Sequence, residues 1–364
     1  MKKVTYPHMG NMNITVTSFL HELGCEAIEP PPITKKTMDL GVQNAPEFAC
    51  LPLKVNLGNY LEAMELGADY ILMAGGAGPC RFGYYGEVQR EILHDMNKDI
   101  EMLVLEPNAW SIYRGFQKLA DKRLSLIKLY RILKYTLTKL RGVDALEKTV
   151  QAVRPRSKDP RLVNKKFSEL KDKMEVASSI DAVERVVKEG QDELKNYIDP
   201  HHDPVLKIGI VGEIYLLIEP FVNLHMEESL GDLGVEVDRK MTVSHWVDNH
   251  ALTNNRNEDF RKAAKPYLGT IIGGHAQETV GRTVVYGRHG YDGVIQVAPF
   301  TCMPEIVAQS ILPVVSKKEG IPVLSLFFDE HSGEAGVQTR LEAFVDMVRR
   351  KSRRRDQDER VSGN

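Results

Sequence analysis

The chain has 364 residues, 42% of them hydrophobic and 27% charged, with a formal net charge of -2; it is long enough for two domains with separate cores. No run approaches the ~18 consecutive apolar residues of a membrane span, and the N-terminus lacks a secretory signal pattern, so a cytoplasmic protein without a membrane partner is expected. Four cysteines are too few and too scattered for a disulfide scaffold, which leaves free, metal-bound or catalytic thiols.

Over the first part of the chain, short apolar runs alternate with helical patterns, the signature of βαβ units and a parallel sheet. Strands are expected at Lys2–Tyr6, Cys25–Ile28, Tyr70–Met73 and Met102–Leu105, and helices at Gly10–Leu23 and Leu53–Glu65. Gly75-Gly76-Ala77-Gly78-Pro79-Cys80 reads as a strand-to-helix loop. From Ser111 to Asn196 apolar residues recur at helical spacing, as in Leu126, Leu129, Leu133, Leu137 and Leu140. This region is basic: Lys118 to Lys173 holds seventeen Lys or Arg against six Asp or Glu. No recognition motif accompanies the charge, so a solvated basic helix face is expected and nucleic acid is not. Pro200-His201-His202-Asp203-Pro204 reads as a turn. A second α/β unit follows, with strands expected at Lys207–Val211, Val235–Val237, Tyr267–Ile272, Gly293–Ala298 and Pro322–Phe327. The expected layout is a first α/β domain over 1–115, a helical region over 116–204, a second α/β domain over 205–348 and a flexible tail over 349–364.

Cys50, Cys80 and Cys302 share a setting: each stands where an extended or apolar segment gives way to a helix. Helix starts offer free N–H groups and partial positive charge, which favour thiolates and anionic clusters. Cys50 and Cys302 are each followed two residues later by proline, a residue suited to the first helical turn. All three fall at the expected carboxyl edge of a sheet, where open α/β folds bind ligands. Spacing alone leaves the alternative that each is a small buried hydrophobe. Cys25 leads into a strand at the opposite edge and reads as structural.

Several motifs together resemble the 2-hydroxyacyl-CoA dehydratase and benzoyl-CoA reductase subunit superfamily, and within it the acyl-CoA dehydratase activase-related (CoA protein activase) proteins. They are Pro46-Glu47-Phe48-Ala49-Cys50-Leu51-Pro52, Gly78-Pro79-Cys80-Arg81-Phe82-Gly83-Tyr84-Tyr85, Gly212-Glu213-Ile214-Tyr215, Pro299-Phe300-Thr301-Cys302-Met303-Pro304-Glu305 and the run from Asp329 to Phe344. The resemblance implies two flavodoxin-like (Rossmann-like) parallel-sheet domains with a helical insertion. It also implies a [4Fe-4S] or double-cubane [8Fe-9S] cluster on Cys50, Cys80 and Cys302. One iron would then lack a protein ligand and stand open for low-potential electron transfer or for substrate, an acyl-CoA or a small molecule. The partners implied are a separate ATP-dependent iron-sulfur activator and a second subunit, in a homodimer or a heterodimer with a homologous chain, in anaerobic metabolism. Two other readings stand beside an enzyme: a non-enzymatic cluster-carrying subunit of a larger complex, and a zinc site with histidine as fourth ligand.

Glu213, Asp329 and Glu330 are candidate acid, base or orienting groups at strand ends; the alternatives are a first-turn acid for Glu213 and a capping sequence for Asp329-Glu330-His331-Ser332. Gly78, Arg81 and His275 are candidates for the surroundings of the cysteines, Arg81 as a donor to a cluster sulfur or a substrate carboxylate, with a surface salt bridge as its alternative. The glycine loop matches neither G-x-x-x-x-G-K-[ST] nor a full G-x-G-x-x-G, so neither ATP nor NAD is assigned to this chain.

Overall fold

In the computed structural model, the described residues are 1–76, 78–106, 108–120, 122–202, 205–249 and 259–362, with side chains described as far as 354. They form two parallel four-stranded sheets amid helices, an α/β fold of two domains. The first sheet contains β1 (Lys3–Thr5), β2 (Glu26–Ala27), β3 (Tyr70–Ala74) and β4 (Glu101–Leu105) in the order β2-β1-β3-β4. The second contains β5 (Leu206–Gly212), β6 (Val235–Arg239), β7 (Gly293–Pro299) and β8 (Val323–Phe328) in the order β6-β5-β7-β8. Each order is that of the first four strands of the doubly wound 2-1-3-4-5 arrangement, with its switch point between the first and third strands.

In the first domain the helices are α1 (Asn13–Leu23), α2 (Lys35–Asn44), α3 (Leu51–Glu65), α4 (Tyr85–Asp95) and α5 (Ala109–Leu119). The helical region contributes α6 (Leu126–Val153), α7 (Pro160–Val176) and α8 (Ile180–Lys195). Its helices start where the side chains dictate: Ser125 accepts from Lys128 N, Asp159 from Arg161 N ahead of Pro160, and Ser179 from Ala182 N. The second domain adds α9 (Ile214–Ile218), α10 (Met226–Asp232), α11 (Val243–Val247), α12 (Asp259–Ala264), α13 (Ala276–Arg288), α14 (Met303–Glu319) and α15 (Glu334–Ser362).

Three expectations change. Tyr267–Ile272 is a turn and loop, not a strand, because the chain passes from α12 into α13 without pairing to either neighbour of β7. The segment expected as a flexible tail continues α15 as far as Ser362. Helix α5 packs Phe116 and Leu119 into the core of the first sheet with Val4, Tyr6 and Tyr70, so that domain's last layer lies beyond residue 115. Ala77 of the glycine loop and Asp203 and Pro204 of the expected turn lie outside the described residues.

Helix α3 joins the two halves. Every residue from Leu51 to Ala63 is buried, as befits a helix covered on all sides. Leu51 and Val55 belong to the core formed by β5, β7, β8 and α15 of the second domain, whereas Leu57, Tyr60 and Leu61 pack with Ile71 and Leu93 of the first. Its polar residues are accommodated individually: Asn59 accepts from His8 N at 3.1 Å and donates to Pro31 O at 2.9 Å. Against α2 the contact is backbone to backbone. A Cβ on Gly58 would lie 1.9 Å from Thr37 O, and one on Gly41 1.8 Å from Lys54 O. Among the described residues no helix is long and apolar enough to cross a membrane.

Candidate functional site

Cys50, Cys80 and Cys302 are the N-caps of α3, of a short 3-10 turn over Arg81–Tyr84 and of α14, all three with extended backbone. Because α3 leads into β3, while the turn and α14 follow β3 and β7, all three cysteines stand at the carboxyl ends of the sheets, two from the first domain and one from the second. Glu213 stands there too, just after β5, the strand beside β7. Gly212 makes that turn possible: its φ is 141°, and a Cβ would lie 1.8 Å from Val297 O.

The thiols feel one another and the same carboxylates. Burial pushes Cys50 up to about 11, opposed by the Tyr85 hydroxyl at 2.6 Å, and the charges of Glu213 and Cys80 act in the same direction as burial. Cys80 is raised by burial, against the Phe82 N–H, and further by Glu213 and Glu305. Cys302 is raised by burial, Glu305, Glu213 and Cys50. The positive charge of Arg81 acts on both Cys50 and Cys80, and its guanidinium donates to Phe48 O at 2.6 Å. It fastens the Cys80 turn to the Cys50 loop.

Two carboxyls share this interior. Glu213 caps α9 by accepting from Leu216 N at 3.1 Å, and burial raises it to about 7, opposed by the N–H groups of Tyr215 and Leu216. Glu305, wholly buried in the first turn of α14, accepts from Thr279 Oγ1 at 3.0 and 3.1 Å and from Gln296 Nε2 at 3.0 Å. Burial raises it to about 7 as well, against those donors and with help from Glu213 and Glu278. Next to Cys302, Thr301 has a left-handed φ of 69°, and its buried hydroxyl has no hydrogen-bond partner among the described residues. A β-branched residue held there is strained, and such strain concentrates at functional sites.

The other candidates divide. Gly78 has a left-handed φ of 96°, and a Cβ there would meet open space. Asp329 Oδ1 accepts from His331 N and Ser332 Oγ, and Asp329 N donates to Ser332 Oγ, so the capping reading describes it. Glu330 pairs with Lys54 Nζ of α3 at 2.6 Å across the domain boundary. Neither residue is among the groups that act most strongly on the cysteines. His275 is the N-cap of α13, preceded by Gly273 and Gly274, whose chain lies against Cys80 and Pro304. Cys25 is buried in the first core with its thiol 3.4 Å from Leu119 O, away from the others.

Tyr85, Glu305, Thr279 and Gln296 were not singled out from the sequence as site residues. Tyr85 and Glu305 carried a signal, as the residues closing the Cys80 and Cys302 motifs. The sequence likewise did not mark the apolar rim. Phe48, Tyr84, Ile271, Phe300 and Ile306 remain exposed, each within four residues of one of the three cysteines or of His275.

Cysteine thiolates are the donors that iron-sulfur clusters take. Three thiols gather from separate elements, and burial among carboxylates opposes their ionisation unless a metal neutralises them; a coordinating thiol is deprotonated outright. Among the described residues no group of three or more His, Cys, Asp or Glu stands ready to hold a metal ion. A cluster asks for less proximity than a single ion does, since each thiolate binds a different iron.

No protein-family model matches the chain, and no curated protein matches it significantly.

Proposed function

We propose that this protein holds an iron-sulfur cluster, [4Fe-4S] or a larger double-cubane form, on Cys50, Cys80 and Cys302 between its two α/β domains. The reading follows the resemblance of its motifs to the 2-hydroxyacyl-CoA dehydratase superfamily. The observation that carries it is the gathering of three N-cap cysteines, two from one domain and one from the other, around the same half-buried Glu213. When bound, such a group supplies low-potential one-electron chemistry, tuned by cluster charge, burial and hydrogen bonds to sulfur.

The chain's own residues then have defined tasks. The Tyr85 hydroxyl, 2.6 Å from Cys50 Sγ, is a donor to that sulfur. Glu213 and Glu305 hold protons near neutrality in the wall of the site. The exposed apolar rim favours a surface that is covered in use. It suits the second reading, a cluster-carrying subunit docked to a homologous chain or to an ATP-dependent activator.

Anaerobic purification with iron and sulfide analysis and EPR of the reduced protein tests the proposal. Cys50→Ser, Cys80→Ser and Cys302→Ser should each lose iron, and Cys25→Ser should keep it. A metal-free product from cells competent in cluster assembly, or unchanged iron in Cys80→Ser and Cys302→Ser, would overturn it. Turnover by the isolated chain, measured with and without an activator ATPase, separates enzyme from carrier.

A further inference from the structure

A cavity of about 170 Å³ lies where the helical region meets the second domain, and no cysteine lines it. Helices α6 and α7 form one side, and the turn between α9 and α10 with the end of β6 forms the other. Part of its wall is a completed ion network. Arg239, almost wholly buried, donates from Nη2 to Glu147 Oε2 at 3.0 Å, from Nε to Glu227 Oε1 at 2.5 Å and from Nη1 to Met241 O at 2.6 Å. Gln151 Nε2 donates to the other oxygen of Glu227 at 2.9 Å.

Arg154, beside it, is only half used. It is 6% exposed, and its stem packs so closely on Gly231 that a Cβ there would come within 2.4 Å of the arginine Cδ. Nε donates to Asn164 Oδ1 at 2.8 Å, Nη1 reaches only the Glu227 carbonyl at 3.5 Å, and Nη2 has no hydrogen bond among the described residues. Among those residues Arg154 also forms no ion pair, and neither does Lys171, whose ammonium stands 5.3 Å from the centre of the Phe167 ring. A guanidinium does not shed its proton, so a nearly buried one without a counter-charge is costly. The nearby carboxylate of Glu228 is already shared: its hydrogen bond to His225 and the charges of Arg154 and Lys171 hold it below its ordinary value against burial. Around the cavity Arg154, Arg239, Lys171 and protonated His225 face Glu147, Glu227 and Glu228, four positive groups against three negative. One negative charge is missing. Leu224 and His225, in the turn that brings the chain to the cavity, are both left-handed, with φ of 56° and 54°, a strain that folds keep mainly at functional sites.

We propose that this cavity binds a small organic monocarboxylate, its carboxylate on the free Nη edge of Arg154 beside Lys171 and its carbon chain against Phe167 and the end of α9. The planar fork of arginine matches a carboxylate with two parallel hydrogen bonds, and a second charge, as on phosphate, would face Glu227 and Glu228. Val150, Phe167, Leu217 and Ile218 give the lining an apolar part for the chain. The cavity is smaller than the roughly 300–1,000 Å³ pockets of drug-sized ligands and cofactors, so the ligand is a few carbons long. The inference is independent of the cluster reading.

Isothermal titration calorimetry on the full-length chain tests it, with straight-chain carboxylates from acetate to hexanoate, inorganic phosphate and butyramide, repeated on Arg154→Met and Lys171→Met. Carboxylates should bind at one site, with butyramide about tenfold or more weaker than butyrate because the charge-assisted hydrogen bonds are lost. Phosphate should bind more weakly than the best carboxylate. Arg154→Met should lose about tenfold or more in affinity, and Lys171→Met a smaller factor. In NMR spectra the bound carboxylate should show NOEs to the Phe167 ring. A cavity that holds water only, seen as no one-site binding by any carboxylate, overturns the proposal. Butyramide binding as tightly as butyrate, phosphate binding more tightly than every carboxylate, or affinity unchanged in Arg154→Met does so too. Should Arg154→Met not fold, the half-exposed Lys171→Met and the wild-type NOEs decide, and a bound carboxylate without contact to Phe167 overturns the assignment.

Discussion

Lys54 and Glu330 meet across the domain boundary, Nζ to Oε1 at 2.6 Å, one helical turn beyond Cys50 on α3 and directly after β8. The lysine is almost wholly buried and the carboxylate partly so. Removing one partner of a buried pair costs about 3 kcal/mol or more, because the other charge is stranded. Lys54→Met should therefore destabilise strongly in urea unfolding, and Lys54→Met combined with Glu330→Leu should recover much of the loss. Burial acts to raise Glu330, but Lys54 outweighs it and holds the carboxyl below its ordinary value. Its contribution is thus full above the unfolded glutamate pKa of about 4.3 and is lost as pH falls through the lowered folded value. Unfolding from pH 3 to 7 should show this slope, and Glu330→Gln should flatten it.

The glycines between α2 and α3 are a packing requirement. Gly58→Ala forces a methyl into a space 1.9 Å from Thr37 O, and overpacking of this kind costs about 1–3 kcal/mol or more. Gly336→Ala, on α15 with open space around it, should instead be neutral or gain about 0.5–1 kcal/mol. Thermal melts of the two variants should move in opposite directions or differ by several degrees.

Glu213 and Glu305 give the metal-free protein an unusual pH response. Both carboxyls titrate near 7 when folded, against about 4.3 when unfolded. The folded state therefore holds extra protons between these values. Their contribution is complete below the unfolded pKa, falls on the order of a few kcal/mol for each carboxyl as pH rises toward 7, and levels off beyond it. Glu305→Gln should reduce that fall, measured by denaturant unfolding from pH 5 to 8.

The thiols should be slow nucleophiles without metal. Burial and neighbouring carboxylates raise Cys50, Cys80 and Cys302 alike, and the thiol form does not attack alkylating reagents. Iodoacetamide at pH 8 should modify the native metal-free chain far more slowly than the urea-unfolded one. Rapid labelling of Cys302 in the native chain would contradict the electrostatics described.

Much of the sheet framework was readable because buried parallel strands appear as short apolar runs. Val235 to Val237 and Gly293 to Ala298 fall inside β6 and β7. Tyr267–Ile272 misled for the same reason, since an apolar run reports burial and not pairing; Leu268 is buried under α13 rather than in a sheet. Three cysteines could be marked from their helix-start settings and Cys25 set aside. The buried carboxyl network could not: Glu305 meets Thr279 and Gln296 only when α13, β7 and α14 pack, and no local pattern encodes that meeting. Lys54 and Glu330 are similarly far apart in the chain, and although Glu330 stood out at a strand end, neither segment alone shows that the two pair.

Helix α3 takes its covering from both domains, and this shapes the order in which the chain can fold. During synthesis Leu51 and Val55 emerge well before β5, β7 and α15, the elements that complete the core around them. The nascent first domain must keep an unfinished apolar face until the whole helical region and the second sheet have followed it. Contacts so distant in sequence close late and slowly, and partly covered intermediates of this kind are aggregation-prone. Truncation after the first domain should leave a sticky fragment rather than a folded half.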